Sequence, residues 1–253
     1  MKAFNEYKRF FAFGCSLTNY CWPTWADIIS QETPEFYNYG KSGGGNLFIA
    51  NSIVEANLRH KFNSDDLVIV MWSSVSREDR YKNGNWETAG NIYTQGVIDM
   101  DFVNKWSDER FYLIRDLALI EKTRVYLENI TSDTDMFKMT DFEEIKITDN
   151  IKENKLKDVL ELYSGTIKSV KPSIVEVVYN GTWPQTPIKG WGGKGQTADY
   201  HPTPLGHLKY LETFYEVTDK MKEYAVEYEE KVLSCKTLDD TSKFWPIHGI
   251  TRL

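Results

Sequence analysis

The feature that most constrains the fold is a short, uniformly apolar segment at residues 67–71, which reads LVIVM. The segment has the length of a β-strand, and we predict a strand over residues 66–72. A strand without polar positions is typical of a sheet that is covered on both faces. This segment therefore predicts the interior of an α/β domain.

Strand and helix patterns alternate along much of the chain. Further strands are predicted at residues 7–13, 36–39 and 173–179, and helices at residues 23–29, 46–61, 107–129, 152–163 and 204–233. Such alternation favours a mostly parallel sheet flanked by helices. We therefore predict an α/β fold.

The chain length is sufficient for one large α/β domain, because the sequence has 253 residues. We expect a single domain over residues 1–233, with an insertion at about 80–171 that shapes the substrate cleft, and a C-terminal tail at 234–253. Within the insertion, residues 80–104 are expected to be irregular or a small hairpin, and residues 131–149 a surface loop.

Charge, hydropathy and cysteine content argue against a nucleic-acid-binding, membrane-spanning, secreted or metal-binding protein. The net charge is −7, from 30 Lys and Arg against 37 Asp and Glu, and no basic stripe is available to bind a nucleic acid. No apolar segment has the length of a membrane-spanning helix, and residues 1–6 lack the apolar core of a signal peptide. The three cysteines, Cys15, Cys21 and Cys235, are odd in number and lack metal-ligand spacing. We expect a cytoplasmic protein without metal or cofactor, and the oligomeric state stays open.

Two short motifs near the ends of the chain carry the chemistry. Residues 14–18 read GCSLT, and residues 199–202 read DYHP. They supply Ser16, His201 and Asp199, the three groups that convert a hydroxyl into a nucleophile. A glycine-rich turn at residues 42–46, SGGGN, offers backbone donors for an oxyanion.

The candidate residues follow the ends of predicted strands. Ser16, Gly43 and Ser74 each come directly after a strand, and the DYHP segment follows the last one. Ligands of open parallel sheets bind at the carboxyl ends of the strands. We therefore expect these segments to meet at one edge of the sheet.

Each choice has an alternative that involves no chemistry. Ser16 would serve equally as a helix cap, and the glycines of residues 43–45 as a tight turn. Among the four histidines, His60 lies on a polar helix face, His248 lies in the tail and His207 is expected to be structural. His201 is therefore the favoured base, and Cys15 is expected to point into the core.

The motifs resemble those of the SGNH (GDSL-type) hydrolase family. The resemblance is carried by GCSLT at 14–18, NYGKSG at 38–43 and DYHP at 199–202, and it covers the N-terminal third and residues 170–230. It implies a flavodoxin-like three-layer α/β/α sandwich and an esterase or deacetylase activity. It also implies Ser16 as nucleophile, His201 as base, and the backbone N–H groups of Ser16 and Gly43 in the oxyanion hole.

Three positions depart from the family pattern. Cys15 stands where the family has an aspartate, and Ser74 where the family has an asparagine that donates to the oxyanion. Asn46 is an alternative donor. The acid usually lies three residues before the histidine, at the position of Ala198, whereas Asp199 lies only two residues before it.

These observations lead to the hypothesis that the protein is a serine esterase or deacetylase that acts on a small acyl ester, with acetyl as the favoured acyl group. A carbohydrate substrate is suggested by four tryptophans that we expect near the mouth of the site: Trp22, Trp72, Trp183 and Trp191. The expected partner is a small-molecule or carbohydrate ester, with no nucleic acid and no membrane. Two alternatives remain: a sugar O-acyltransferase, and a non-catalytic binding or structural protein of a virion or cell surface.

Overall fold

The computed structural model of the protein describes residues 1–94, 98–142, 150–189 and 198–244, and the side chains at 150–155 and 242 are outside this description. The strands are β1 Arg9–Gly14, β2 Glu35–Gly40, β3 Asp66–Trp72, β4 Arg77–Lys82, β5 Asn85–Asn91 and β6 Asp133–Lys138. Among the described residues, four parallel strands form the main sheet in the order β2-β1-β3-β6, and β4 and β5 form an antiparallel hairpin.

The helices connect the strands and cover the sheet. They are α1 Trp25–Ser30, α2 Asn46–His60, α3 Met100–Trp106, α4 Glu109–Glu128, α5 Asn150–Leu162, α6 Ser164–Lys168, α7 Ile174–Tyr179, α8 Pro204–Glu212, α9 Asp219–Leu233 and α10 Leu238–Thr241. Side-chain caps explain several starts: Asp108 caps α4, Thr203 caps α8 and Thr218 caps α9. Short 3-10 turns lie at Phe4–Glu6 and Ser242–Phe244.

Alternate side chains of the strands fill two separate cores. Phe10 and Ala12 of β1 pack with α1, α7, α8 and α9, whereas Phe11 and Phe13 pack with α2, α4 and α5. Every residue of β3 is buried, as the apolar segment predicted. The predicted α/β fold, a three-layer sandwich with a parallel sheet, is therefore confirmed. The strand order matches the flavodoxin-like arrangement.

One predicted strand is wrong. Residues 173–179 form α7, because the Ser173 hydroxyl accepts a hydrogen bond from the Glu176 N–H and caps the first turn. The helix ends at Asn180, which has a left-handed backbone. The β-branched composition of this segment reflects burial of Ile174 and Val175 against the sheet rather than a strand.

The expectation of a loop at residues 131–149 is also wrong for residues 133–138, which form β6 and pair with β3, whereas residues 143–149 lie outside the described residues. The first half of β6 is only half-buried at the edge of the sheet, which explains its polar sequence. Part of the predicted insertion at 80–171 thus belongs to the sandwich. The single helix predicted at 204–233 is two helices, because Thr218 begins α9 after a break.

Within the described ranges, no helix is both long enough and apolar enough to cross a membrane.

A buried carboxyl group lies in the first turn of α1. Asp27 Oδ2 accepts hydrogen bonds from the Thr24 N–H at 2.8 Å and from the Thr24 hydroxyl at 3.1 Å, while Oδ1 has no partner in the described part of the chain. Burial raises the pKa of Asp27 to about 7. The folded protein therefore keeps this proton at pH values where the unfolded chain has lost it.

This difference predicts that Asp27 makes the protein less stable as the pH rises from about 4 to about 7. Between pH 5 and pH 8, the contribution to the free energy of unfolding falls by about 2–3 kcal/mol. Asp27→Asn removes the titration, so urea denaturation at the two pH values should show a smaller loss for the variant. The exposed Asp219→Asn serves as control, and equal losses in wild type and Asp27→Asn would contradict the prediction.

Candidate active site

Three predicted side chains form one hydrogen-bonded chain at the carboxyl edge of the sheet. Ser16 follows β1, and His201 and Asp199 lie in the segment before α8. The distance from His201 Nε2 to Ser16 Oγ is 2.8 Å, and the distance from His201 Nδ1 to Asp199 Oδ1 is 2.7 Å. The imidazole therefore contacts both the hydroxyl and the carboxylate.

The ionisation of Asp199 sets the positions of the protons. Burial raises its pKa, but hydrogen bonds from His201 and Tyr20 more than offset this, so the pKa lies below its usual range. An ionised carboxylate only accepts hydrogen bonds, so Nδ1 of a neutral His201 carries the ring proton. The lone pair of Nε2 then faces the Ser16 hydroxyl and can accept its proton.

The short spacing between acid and histidine is accommodated by a tight turn. Asp199 Oδ1 accepts a hydrogen bond from the His201 backbone N–H at 2.8 Å as well as from the ring. Thr186 exchanges two backbone hydrogen bonds with Asp199, at 2.8 and 2.9 Å, and its hydroxyl donates to the His201 carbonyl at 2.9 Å. These contacts fix the carboxylate beneath the ring although only one residue separates the two.

Tyr20 is a site residue that the sequence reasoning missed. Its hydroxyl donates to Asp199 Oδ2 at 2.7 Å, and its ring stacks on the His201 ring with 3.7 Å between centroids. Trp22 packs edge-on against Tyr20 and donates from Nε1 to the Pro202 carbonyl at 2.8 Å. The one available signal was the aromatic cluster that follows the GCSLT motif.

The glycine turn presents a backbone conformation that requires glycine. Gly43 has φ +73°, and a Cβ atom there would lie 2.4 Å from the Thr88 carbonyl oxygen of β5. The Thr88 hydroxyl donates to the Ser42 carbonyl at 2.7 Å. Among the described residues, none accepts a hydrogen bond from the backbone N–H of Gly43 or Ser16. Within that part of the chain, both donors are therefore available to a ligand.

The hairpin of β4 and β5 holds the glycine turn in place. Arg77 Nη1 donates to the Gly44 carbonyl at 3.0 Å, and the Gly45 N–H donates to Asp79 Oδ1 at 2.8 Å. Asp79 Oδ2 accepts the Phe48 N–H at 2.9 Å and so satisfies the first turn of α2. One peptide group, between residues 44 and 45, is thus held at both its carbonyl and its N–H by β4.

The two predicted side-chain donors differ in their surroundings. Asn46 is fully buried, and its amide donates to the Ser73 carbonyl and to Asp116 Oδ2, each at 3.2 Å. Because both amide hydrogens are engaged, the prediction of Asn46 as an oxyanion donor is wrong. Ser74 is half-buried at the end of β3, and its Oγ accepts a hydrogen bond from Arg77 Nε at 3.2 Å.

For two of the four tryptophans, the prediction that they bind substrate is wrong. Trp22 and Trp72 are fully buried, so neither offers a surface to a ligand. Trp72 packs in the core between the sheet and α2 and α4, and Trp183 is half-buried against the opposite core. Trp191 lies outside the described residues. Trp22 and Trp72 are therefore large core side chains and do not line a cleft.

The other candidate bases and nucleophiles are engaged elsewhere. Cys15 points to Met139 in the core, with 3.7 Å between sulfur atoms, as expected. His60 contacts the Tyr39 hydroxyl at 2.9 Å. Burial, and next the nearby His201, lowers the pKa of His207 to about 3, so that ring stays neutral inside α8. His248 lies outside the described residues.

We predict that Tyr20→Phe destabilises the protein without removing the stacked ring. The substitution leaves Asp199 Oδ2 buried without its tyrosine donor, which costs about 1–3 kcal/mol in the free energy of unfolding. Urea denaturation at pH 7 measures the loss, and Tyr81→Phe, at a ring 62% exposed, is the matched control. Equal stability of Tyr20→Phe and the control would show that this hydrogen bond contributes nothing.

Comparisons with known proteins give similarity to solved structures. No family model matches the sequence, and no curated protein matches it. A member of the lipolytic G-D-S-L family from Veillonella parvula is 15% identical with TM-score 0.44, covering 81% of this chain and 97% of that chain. An α/β hydrolase enzyme from the metagenome of Lake Arreo is 11% identical with TM-score 0.45, covering 84% and 96%. A GDSL-like lipase from Bacteroides thetaiotaomicron is 12% identical with TM-score 0.35, covering 90% and 88%.

The chain is similar over most of its length to solved proteins described as GDSL-type or α/β hydrolases.

Proposed function

We propose that the protein is a serine esterase of the SGNH type that hydrolyses esters of a small acyl group such as acetyl. The observation that carries the proposal is the hydrogen-bonded chain from Ser16 Oγ through His201 to Asp199, with distances of 2.8 and 2.7 Å. A serine at this distance from a neutral imidazole can lose its proton as it attacks a carbonyl carbon.

The first half of the reaction forms an acyl-enzyme. Ser16 Oγ bonds to the carbonyl carbon, its proton passes to His201 Nε2, and the carbonyl electron pair moves onto the oxygen. The resulting imidazolium is stabilised by the Asp199 carboxylate. The intermediate then collapses, the bond to the alkoxy oxygen breaks, and the alcohol leaves with the proton from Nε2.

The second half restores the enzyme. Water gives a proton to Nε2 and bonds to the acyl carbon, and Ser16 Oγ leaves with that proton while the carboxylic acid is released. The N–H groups of Ser16 and Gly43, which have no acceptor among the described residues, are suited to the oxyanion in both halves. Because the hairpin already holds the glycine turn, little reorganisation is required when the charge develops.

The small acyl group is inferred from the space around the nucleophile. Ser16 is only 6% exposed, and the His201 ring is packed against Tyr20. We take this low exposure as favouring a small acyl group over a long acyl chain. Because Trp22 and Trp72 are buried, they no longer support a carbohydrate substrate. A sugar is therefore only one of the alcohol groups to be tested in the ester.

The first test is covalent labelling with a fluorophosphonate, followed by turnover of p-nitrophenyl acetate. We expect wild type to be labelled at Ser16, and Ser16→Ala to lose labelling and at least about 10³-fold in kcat/KM. Ser64→Ala, at an exposed serine, is the control and should behave as wild type. A hexanoate ester should be turned over more slowly than the acetate.

Other outcomes identify the alternatives. Folded wild type that is neither labelled nor active contradicts the proposal and favours a non-catalytic binding protein. Labelling at Ser16 with release of acetylated sugar, in place of acetate, when a sugar acceptor is present would indicate acyl transfer instead of hydrolysis.

A further inference from the structure

The position that departs most from the family pattern has an unusual neighbour. Ser74 stands where the family has an asparagine, and its Oγ accepts a hydrogen bond from Arg77 Nε at 3.2 Å. A serine hydroxyl has one hydrogen, and Oγ is here the acceptor, so that hydrogen stays available to donate. In the described part of the chain, no group accepts it.

Arg77 contacts three of the segments that meet at the carboxyl edge of the sheet. Besides Ser74 after β3, it reaches the Gly44 carbonyl in the turn after β2, at 3.0 Å, and the sulfur of Met139 after β6, at 3.7 Å. Met139 in turn contacts Cys15, the residue before Ser16. The guanidinium therefore lies at the edge where the nucleophile and the glycine turn come together.

The positive charge of Arg77 opposes the rise that burial causes in the pKa of the nearby Asp79, but the two groups do not form an ion pair. The neighbouring Arg80 and Arg115 both form ion pairs with Glu78. Among the described residues, no carboxylate is close enough to form an ion pair with the half-buried Arg77. A cation held in this way attracts a negative charge that develops nearby.

We propose that Arg77 is a positioning residue that, by donating to Ser74 Oγ, makes the Ser74 hydroxyl the oxyanion donor in place of the missing amide. This inference rests on the proposed esterase function. The hydrogen bond from the guanidinium fixes the direction of the Ser74 hydroxyl, and its positive charge strengthens Oγ–H as a donor. The same contact lowers the entropy that the Ser74 side chain would lose on binding the oxyanion, because Ser74 is held rather than free to rotate.

The test is a double-mutant cycle in p-nitrophenyl acetate hydrolysis. Ser74→Ala and Arg77→Met should each lower kcat by about 10²-fold with KM within about threefold of wild type. The double variant should be no more than about threefold slower than either single variant, because both remove the same donor. Arg80→Met, at an exposed arginine of the same strand, is the control and should leave kcat unchanged.

A purely structural role of Arg77 gives a different result. If Arg77 acts only by holding the Gly44 carbonyl, Ser74→Ala stays within about threefold of wild type and the two effects add. Ser74→Asn provides a rescue, since an amide donor does not depend on the guanidinium. In the Ser74→Asn background, Arg77→Met should cost less than about threefold, and a full 10²-fold loss would overturn the proposal.

Failure of this inference differs from failure of the esterase function. If wild type shows no Ser16-dependent turnover, the proposed function fails, and Arg77 has no oxyanion to serve. If turnover depends on Ser16 but Ser74→Ala and Arg77→Met are both as active as wild type, only the inference about Arg77 is overturned. Circular dichroism establishes that each variant is folded, and Ser74→Ala, which removes one hydroxyl, is the variant that decides if Arg77→Met does not fold.

Discussion

The site depends on the hydrogen bonds that the Asp199 carboxylate accepts. This carboxylate is 2% exposed, and it accepts hydrogen bonds from the His201 ring, the His201 backbone and the Tyr20 hydroxyl. A carboxylate this buried stays ionised only because these donors compensate for lost water. Once ionised, it fixes the imidazole tautomer and turns Nε2 to Ser16. Asp199 therefore contacts the His201 ring although only one residue separates them, because its own carboxylate forms the turn by accepting the His201 backbone N–H.

The proposed mechanism also requires a rigid set of hydrogen-bond donors near the nucleophile. The hairpin of β4 and β5 supplies this rigidity mainly through Asp79, which accepts from the N–H groups of Gly45 and Phe48, and Arg77 adds one hydrogen bond to the Gly44 carbonyl. Burial raises the pKa of Asp79, and its backbone donors Phe48 and Gly45 act in the opposite direction. Arg77 and Asp79 lie just before the insertion predicted at 80–171, and in the proposed reaction they preorganise the turn for negative charge.

The sequence predicted the elements whose signal is local. The apolar run of β3 identified the sheet, and the motif that follows β1 placed Ser16 at its carboxyl edge. His201 was expected at the same edge because it follows a strand predicted at 173–179; the position is correct, but that segment is the helix α7. Prediction from the sequence failed for elements whose type depends on contacts between residues that are distant in the sequence. Edge strand β6 looks like a loop, α7 looks like a strand, and the contact between Gly45 and Asp79 spans 34 residues. Burial of Trp22 and Trp72 likewise follows from packing that no local pattern records.

In the proposed mechanism, His201 activates the Ser16 hydroxyl, which faces donors from the glycine turn and β3. A crystal structure of the protein after reaction with a phosphonate tests this mechanism most directly. We predict a bond from phosphorus to Ser16 Oγ, with the phosphonyl oxygen about 3 Å from the N–H groups of Ser16 and Gly43 and from Ser74 Oγ. A phosphonyl group on another residue, or one on Ser16 whose oxygen points away from these donors, would contradict it.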